Sequence, residues 1–301
     1  MTPALVVINP ISGAGRPDGG GAAEVELARR TLADAGFAAS VVVTTGPGHA
    51  TAATRQACAD GVGLVVAWGG DGTMNEIARV LAFGPVPLAL VPAGSGNGLA
   101  RDLGVPRQPA AALAVAATGR RWRIDAGSVN DALFFNVAGL GLDARIAHAF
   151  AASRGRRGLR RYFELTAREL TTYRAQRIGV TWDQGQLETP ALFVALANSR
   201  QYGGHGCIAP RAVLDDGQLE LVVVGDLSWW QVISRVPAFF RGTLAPGPNL
   251  AMQPFRTARI APASRVELHL DGEPAAGAVA YDVRVHPAAI TVVAPSASVT
   301  R

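Results

Sequence analysis

Between residues 64 and 81 an apolar run, Leu64-Val65-Val66-Ala67-Trp68, passes through Gly69-Gly70-Asp71-Gly72-Thr73-Met74-Asn75-Glu76 into the helical pattern Ile77-Ala78-Arg79-Val80-Leu81. A buried strand, a glycine turn and a helix start in that order restrict this stretch to an α/β architecture. With glycine at 69, 70 and 72 the turn carries few side chains, so its backbone N–H groups can approach an anion, and the helix behind presents its positive dipole end. A nucleotide phosphate fits such a turn. Asp71 does not fit a turn that only binds phosphate, because a carboxylate repels phosphate unless a cation lies between them or it faces a substrate hydroxyl. The turn therefore points to phosphoryl transfer.

Strand and helix patterns alternate on either side of it. Leu5 to Ile8, Ala38 to Val43, Leu64 to Ala67 and Leu88 to Val91 read as strands, and Glu24 to Ala35, Ala50 to Asp60 and Asn75 to Leu81 as helices. This predicts a parallel sheet with helices on both faces, whose ligands bind at the carboxyl ends of the strands. Four turns rich in Gly, Ser, Thr or Asn follow those strands: Asn9 to Gly13, Thr44 to Gly48, the Gly69 turn, and Pro92-Ala93-Gly94-Ser95-Gly96-Asn97. They are expected to converge on one sheet edge.

Beyond the Ala-rich helical stretch Ala110 to Thr118 the texture changes. Strand patterns separated by Gly or Asn/Asp turns follow at Leu133 to Val137, Arg177 to Trp182, Ala191 to Ala197, Gln218 to Val224, Arg265 to Leu270 and Asp282 to His286, with one arginine-rich helix from about Arg157 to Arg174. The fold class expected is an α/β domain over 1–125 followed by a β-sandwich-like or barrel domain over 126–289, with residues 290–301 returning to the first.

All 28 residues counted as Lys or Arg are arginine. A P-loop, a protein-kinase strand lysine and Schiff-base chemistry are thereby excluded, since each needs an amine. Phosphate must be held by backbone N–H groups, hydroxyls, metal or arginine. Cys58 and Cys207 have no metal or disulfide spacing, and no apolar stretch approaches the roughly 18 residues that cross a bilayer. A cytoplasmic protein, peripheral to the membrane, is expected. The cluster Arg154, Arg156, Arg157, Arg160 and Arg161 reads as a solvated helix face or a contact for anionic lipid. Sparse neighbouring aromatics argue against nucleic acid. A homodimer is left open.

In order along the chain, Asn9-Pro10-Ile11-Ser12-Gly13, Gly69 to Thr73, Pro92 to Asn97, Asn136 to Ala144, Ala209 to Gly217 and Leu270-Asp271-Gly272-Glu273 resemble the diacylglycerol kinase catalytic-domain family, with its sphingosine, ceramide and bacterial soluble lipid kinase relatives. The resemblance covers nearly the whole chain. It implies ATP-dependent phosphorylation of a lipid hydroxyl in a cleft between a nucleotide-binding domain and a lipid-holding β-domain. It also implies ATP contacts at Thr44, at Gly70 to Glu76 (Gly70, Asp71, Gly72, Thr73, Asn75, Glu76) with Gly69, and at Gly94 and Ser95. Asn9 and Asn97 would tie the turns together or reach the nucleotide, with an αL turn the plain alternative for Asn97.

Asp271 is the first choice as general base, at the end of the alternating strand Val266, Leu268, Leu270. Glu273 is a nearby candidate, an Asp-Gly hairpin turn is the plain alternative, and Asp71 is a second catalytic carboxylate whose share is open. Asp143 and Asp125 are candidates for the lipid side, Asp143 by resemblance to a head-group carboxylate of sphingosine kinases or as a helix N-cap. An accessory Mg2+ would use Asp216 with the carbonyls of Val213 and Gln218, or Asp216 belongs to a solvated turn. Gly98 stands where many bacterial relatives carry Asp, which keeps an inactive lipid-binding relative as an alternative. A kinase for nicotinamide dinucleotide or another small molecule is a further one. The helical stripe Trp229, Trp230, Val232, Ile233, Val236, Phe239 and Phe240 is either core or a membrane-facing surface.

Overall fold

The computed structural model describes residues 1–12, 21–152, 159–202 and 206–296. The chain divides into two compact units, Met1–Ile124 with Ala288–Arg301, and Asp125–Pro287.

In the first unit β1 (Thr2–Ile8), β2 (Phe37–Val43), β3 (Leu64–Gly69) and β4 (Leu88–Pro92) alternate with α1 (Ala22–Asp34), α2 (His49–Ala59) and α3 (Asp71–Leu81), and α4 (Gly98–Asp102) and α5 (Pro109–Thr118) follow. The strands run parallel in the order β2-β1-β3-β4. Leu5, Val6, Val7, Val65, Val66, Leu88 and Val91 are buried, as expected of strands covered on both faces. From β1 the chain steps one way to β2 and then back past β1 to β3. Right-handed crossovers therefore put α1, which packs beside α5, on one face and the α2–α3 pair on the other. Order reversal between β1 and β3 is the switch point at which such sheets open a crevice at their carboxyl edge.

The α3 helix starts four residues before the expected Asn75. Gly70 is extended at its N-cap and Asp71 already lies in the first turn, where a carboxylate suits the helix dipole.

The second unit begins within β5 (Arg120–Val129) and continues through β6 (Ala132–Phe134), β7 (Val137–Gly141), α6 (Leu142–Ala152), α7 (Leu159–Thr172), β8 (Gln176–Trp182), β9 (Gly185–Ala197), β10 (Gln201–Tyr202), β11 (Gly206–Cys207) and β12 (Leu219–Gly225). Then come α8 (Trp229–Arg241), β13 (Leu250–Phe255), β14 (Thr257–Pro262), β15 (Val266–Leu270), β16 (Glu273–Ala278) and β17 (Tyr281–Ala294). The first half of β9 pairs antiparallel with β8, and its second half lies between β7 and β12. By changing partners midway, β9 links the ladders of a β-sandwich around a core of Phe134, Val194, Leu221, Phe255, Ile260 and Tyr281.

The expected strand Leu133 to Val137 is broken at Phe135–Asn136, whose N–H groups leave the ladder for a side chain described below. Gly141, at φ +90°, ends β7 and releases α6, which begins two residues before the helix that an Asp143 N-cap would open. Asp143 is its second residue and therefore no N-cap. Asp282 to His286 and Ile290 to Val293 belong to the single strand β17. Of the arginine cluster, Arg154, Arg156 and Arg157 lie outside the described residues, as do the side chains of Arg160 and Arg161.

Candidate functional site

Three of the four strand-end turns of the first unit are laced together. Asn9 Nδ2 donates to Thr73 Oγ1 at 2.9 Å, and the Gly70 N–H donates to Ser12 Oγ at 3.2 Å. The Ala93 N–H donates to the Gly69 carbonyl at 2.8 Å. Asn97, in the αL conformation at φ +53°, closes its own loop by accepting from the Gly94 N–H at 3.0 Å.

Asp71 joins this lattice through both oxygens. The N–H groups of Asn97 and Gly98 donate to it at 2.8 and 2.9 Å. Burial pushes its carboxyl up from the ordinary range, against those two donors and the charge of Arg101. Arg101, which sequence reasoning did not single out, donates from Nη2 to the Gly96 carbonyl at 2.9 Å and so holds the same loop from its far side.

The glycines serve this packing. A Cβ on Gly96 would stand 2.4 Å from Asp71 Oδ2, and one on Gly94 2.6 Å from the Gly70 Cα. A Cβ on Gly69 would meet Thr73 Oγ1 at 2.6 Å.

Of the expected ATP contacts, Thr73 and Asn75 are buried, and Glu76 accepts from the Thr51 N–H at 3.3 Å, which ties α3 to α2. Ser95 is exposed on its loop, and Thr44 donates its N–H to the Ile8 carbonyl at 2.8 Å as β2 ends. The N–H groups of Gly72 and Thr73, in the first turn of α3, have no intrahelical partner, as in any helix start.

In the second unit Asp271 and Gly272 form a two-residue loop between the paired residues Leu270 and Glu273, with φ +53° and +85°. This is the hairpin turn that Asp-Gly favours. Asp271 is nonetheless only 7% exposed. Its Oδ1 accepts from the N–H groups of Asn136 and Val137 at 2.7 and 3.0 Å, and Oδ2 from that of Phe135 at 2.9 Å. These donors fix the orientation of its carboxylate. Asn198, also absent from the sequence reading, donates from Nδ2 to the carbonyls of Asp125 and Phe135 at 2.8 and 2.9 Å. The buried Oδ1 atoms of Asn136 and Asn198 have no hydrogen-bond partner among the described residues. Glu273 is exposed at the start of β16.

Asp143 is buried and accepts from His269 Nε2 at 2.7 Å. Nδ1 of that ring accepts from the Gly272 N–H at 3.2 Å, which assigns the proton of the neutral imidazole to Nε2. Burial pulls His269 down, but the charge and hydrogen bond of Asp143 and the charge of Asp271 outweigh it and push its pKa up. A Cβ on Gly139 would lie 1.8 Å from Asp143 Oδ2 and 2.4 Å from His269 Nε2, so glycine at that point of β7 makes room for the pair. Gly139 is the signal in the sequence that could have led to it.

Asp125 accepts from the Gly217 N–H at 2.7 Å and holds the turn that carries Asp216. Asp216 accepts from the Gln218 N–H at 3.0 Å within that turn, and Val213 is exposed. Burial pushes the Asp216 carboxyl up, the N–H of Gln218 opposes this and the charge of Asp215 adds to it. Among the described residues no group of three or more His, Cys, Asp or Glu side chains is placed to hold a metal ion.

The α8 stripe divides. Val232 and Phe239 pack into the core, Phe239 edge-on to Tyr202, while Trp230 is 65% exposed and Ile233, Val236 and Phe240 are also exposed. The side chain of Trp229 lies outside the described residues. No described helix is long and apolar enough to cross a membrane.

Residues 3–129 match the family model described as diacylglycerol kinase catalytic domain, and residues 136–294 the YegS C-terminal NAD kinase beta sandwich-like domain. The chain is 32% identical to a "Probable lipid kinase YegS-like" of Pseudomonas aeruginosa over 283 residues, covering 91% of each chain. It is 28% identical to a "Diacylglycerol kinase" of Bacillus subtilis, covering 91% of this chain and 90% of that one. In fold it resembles a diacylglycerol kinase crystal structure from Bacillus anthracis, with a TM-score of 0.75, 21% identity and 98% of both chains covered. An NAD kinase from Archaeoglobus fulgidus in complex with ATP has a TM-score of 0.56 at 12% identity, with 99% of this chain and 95% of that one covered.

Proposed function

The chain belongs to the diacylglycerol kinase catalytic-domain family of lipid kinases, and we propose that it transfers the γ-phosphoryl group of ATP to a hydroxyl of a membrane lipid. The observation that carries this reading is the lacing of three turns around the start of α3 at the carboxyl edge of the parallel strands. That arrangement supports a phosphate grip without lysine: the first-turn N–H groups of α3 and its dipole would meet the phosphate chain. Asp71 then acts as the tie that keeps the Gly94 to Gly98 loop beside the grip.

Asp271 is the base in this scheme. The lipid hydroxyl oxygen forms a bond to the γ-phosphorus, the bond from that phosphorus to the bridging oxygen of ADP breaks, and Asp271 takes the hydroxyl proton. The Asn136 and Asn198 acceptors, without a partner among the described residues, support the placing of a hydroxyl or a water near the turn that Asp271 anchors.

Mg2+ would enter with ATP and neutralise charge on its phosphates. Asp216, with the carbonyls of Val213 and Gln218, suits an additional Mg2+ only as a single-carboxylate site completed by water. The crowding of Asp215 beside a partly buried Asp216 is the feature a cation would relieve.

Because Asp143 is engaged with His269, a neutral glycerolipid such as diacylglycerol is the first acceptor to test, and a cationic sphingoid base the second. The exposed Trp230, Ile233, Val236 and Phe240 supply the apolar face through which the enzyme would rest on a bilayer.

The test is incubation with labelled Mg-ATP and mixed vesicles containing diacylglycerol or a sphingoid base, with NAD in a parallel arm. Label on a lipid is expected. Label on the dinucleotide alone, or hydrolysis with no acceptor labelled, would overturn the reading.

A further inference from the structure

His269 takes no part in the scheme above, yet it is 4% exposed and satisfied at both ring nitrogens by residues of different elements. Nδ1 accepts from the N–H of Gly272, the second residue of the loop that begins with Asp271. Nε2 donates to Asp143 in the first turn of α6. The ring therefore bridges the hairpin loop to a helix. Around it, α6 presents Asp143 and also His148, whose Nε2 bonds the Leu268 carbonyl at 3.1 Å. The loop presents Asp271, β7 has no titratable residue, and on β16 Glu273 is exposed.

We infer that His269 is a positioning residue: in its Nε2-protonated neutral form it clamps the Asp271–Gly272 loop to α6 and thereby sets the aim of the Asp271 carboxylate.

Three features converge on this. Asp271 sits at φ +53°, the left-handed conformation that an Asp-Gly turn favours, which sets the direction in which its side chain leaves the loop. The Asp271 N–H donates to the Val137 carbonyl at 2.9 Å while its carboxylate accepts from residues 135 to 137, so one side of the loop is tied to the β6–β7 link. The Gly272 side is held by His269. Without the ring, the Gly272 N–H loses its acceptor and the loop is anchored on one side alone. Gly139 completes the arrangement, since any side chain there would occupy the space of the Asp143–His269 contact. A ring doubly protonated on acidification would turn an N–H toward that of Gly272, so the clamp works in the neutral form.

The effect on phosphoryl transfer rests on Asp271 being the base, whereas the clamp itself can be read without substrate. Nitrogen NMR of the whole protein carrying labelled histidine, in alkaline buffer, is expected to show His269 protonated at Nε2 and bare at Nδ1. The Gly272 amide is expected to exchange slowly in the wild type and in His269→Asn, whose Oδ1 reaches the same N–H, and fast in His269→Ala. In kinetics, His269→Ala is expected to lower kcat about 100-fold, the scale of a small misplacement of a reacting group, with the KM for ATP unchanged, and His269→Asn to recover most of it. An Nδ1-protonated ring, or a Gly272 amide that exchanges as slowly in His269→Ala as in the wild type, would overturn the clamp. An Asn variant as slow in turnover as the Ala variant would overturn its role in aiming Asp271. If the wild type phosphorylates no lipid the functional reading fails, and the NMR and exchange results still decide the clamp. Should the Ala variant not fold, the wild-type tautomer and the Asn variant decide it.

Discussion

Asp71 and Asp271 are both loop-end carboxylates that accept backbone N–H groups, yet the two units use them differently. Asp71 opens a helix and ties down a neighbouring glycine loop through two donors, and burial raises its pKa. Asp271 tips a hairpin at positive φ and takes three donors from one break between strands. The first arrangement builds a rigid backbone surface with the carboxylate on the inside of it. The second holds the carboxylate itself in a set direction. A phosphate grip needs the former, and a base needs the latter.

Five experiments would break or sharpen this contrast. Asp271→Asn should have the largest effect, a fall in kcat of about 1,000-fold within the range typical of a lost general base, with ATP binding retained in a nucleotide titration. Full turnover in that variant would reduce Asp271 to a turn residue. Gly96→Ala comes next. Its methyl group would stand 2.4 Å from Asp71 Oδ2, so the loop must shift, at about 1–3 kcal/mol of stability in denaturant melts and with weakened ATP binding. Gly272→Ala meets open space and should cost only the strain of its positive φ, about 1–2 kcal/mol.

Asp71→Asn puts an amide NH2 against one of the two N–H donors and is expected to cost about 1–3 kcal/mol. Turnover should fall through the KM for ATP. A fall in kcat alone would instead place Asp71 in the chemistry.

The smallest effect is on the pH dependence of stability. His269 has a native pKa raised above its ordinary 6.5, so the folded state binds the proton more tightly. The contribution of the protonated ring's pairing with Asp143 is complete below 6.5 and is lost as pH rises through the native value, above which the neutral ring keeps the hydrogen bonds of the loop clamp. Thermal melts across that window should fall more steeply for the wild type than for His269→Asn, and parallel curves would remove the titration from His269.

Much of the first unit was legible because its signals are local. The strand runs, the amphipathic helices and the glycine turns each lie within about a dozen residues, and parallel topology follows from their alternation. The hairpin at Asp271-Gly272 was legible for the same reason, since two adjacent residues carry it. The break at Phe135–Asn136 was not, because its cause lies about 135 residues along the chain. The α8 stripe shows a third case. Its periodicity admitted two readings, and the structure packs Val232 and Phe239 into the core while it leaves Trp230 and Phe240 exposed.

By itself the sequence determined the α/β and β-rich halves, the lysine-free character of any phosphate site and the family, since composition, period and ordered motifs are properties of the string. Only the tertiary structure decided what each polar side chain meets. Asp71 went to the N–H groups of residues 97 and 98, Asp271 to those of 135 to 137, and His269 to an aspartate 126 positions away. The physical reason is the cost of burial. A carboxylate or imidazole removed from water must find a partner, and that partner is whichever group the packed strands bring within 3 Å, at a separation along the chain that no local pattern encodes.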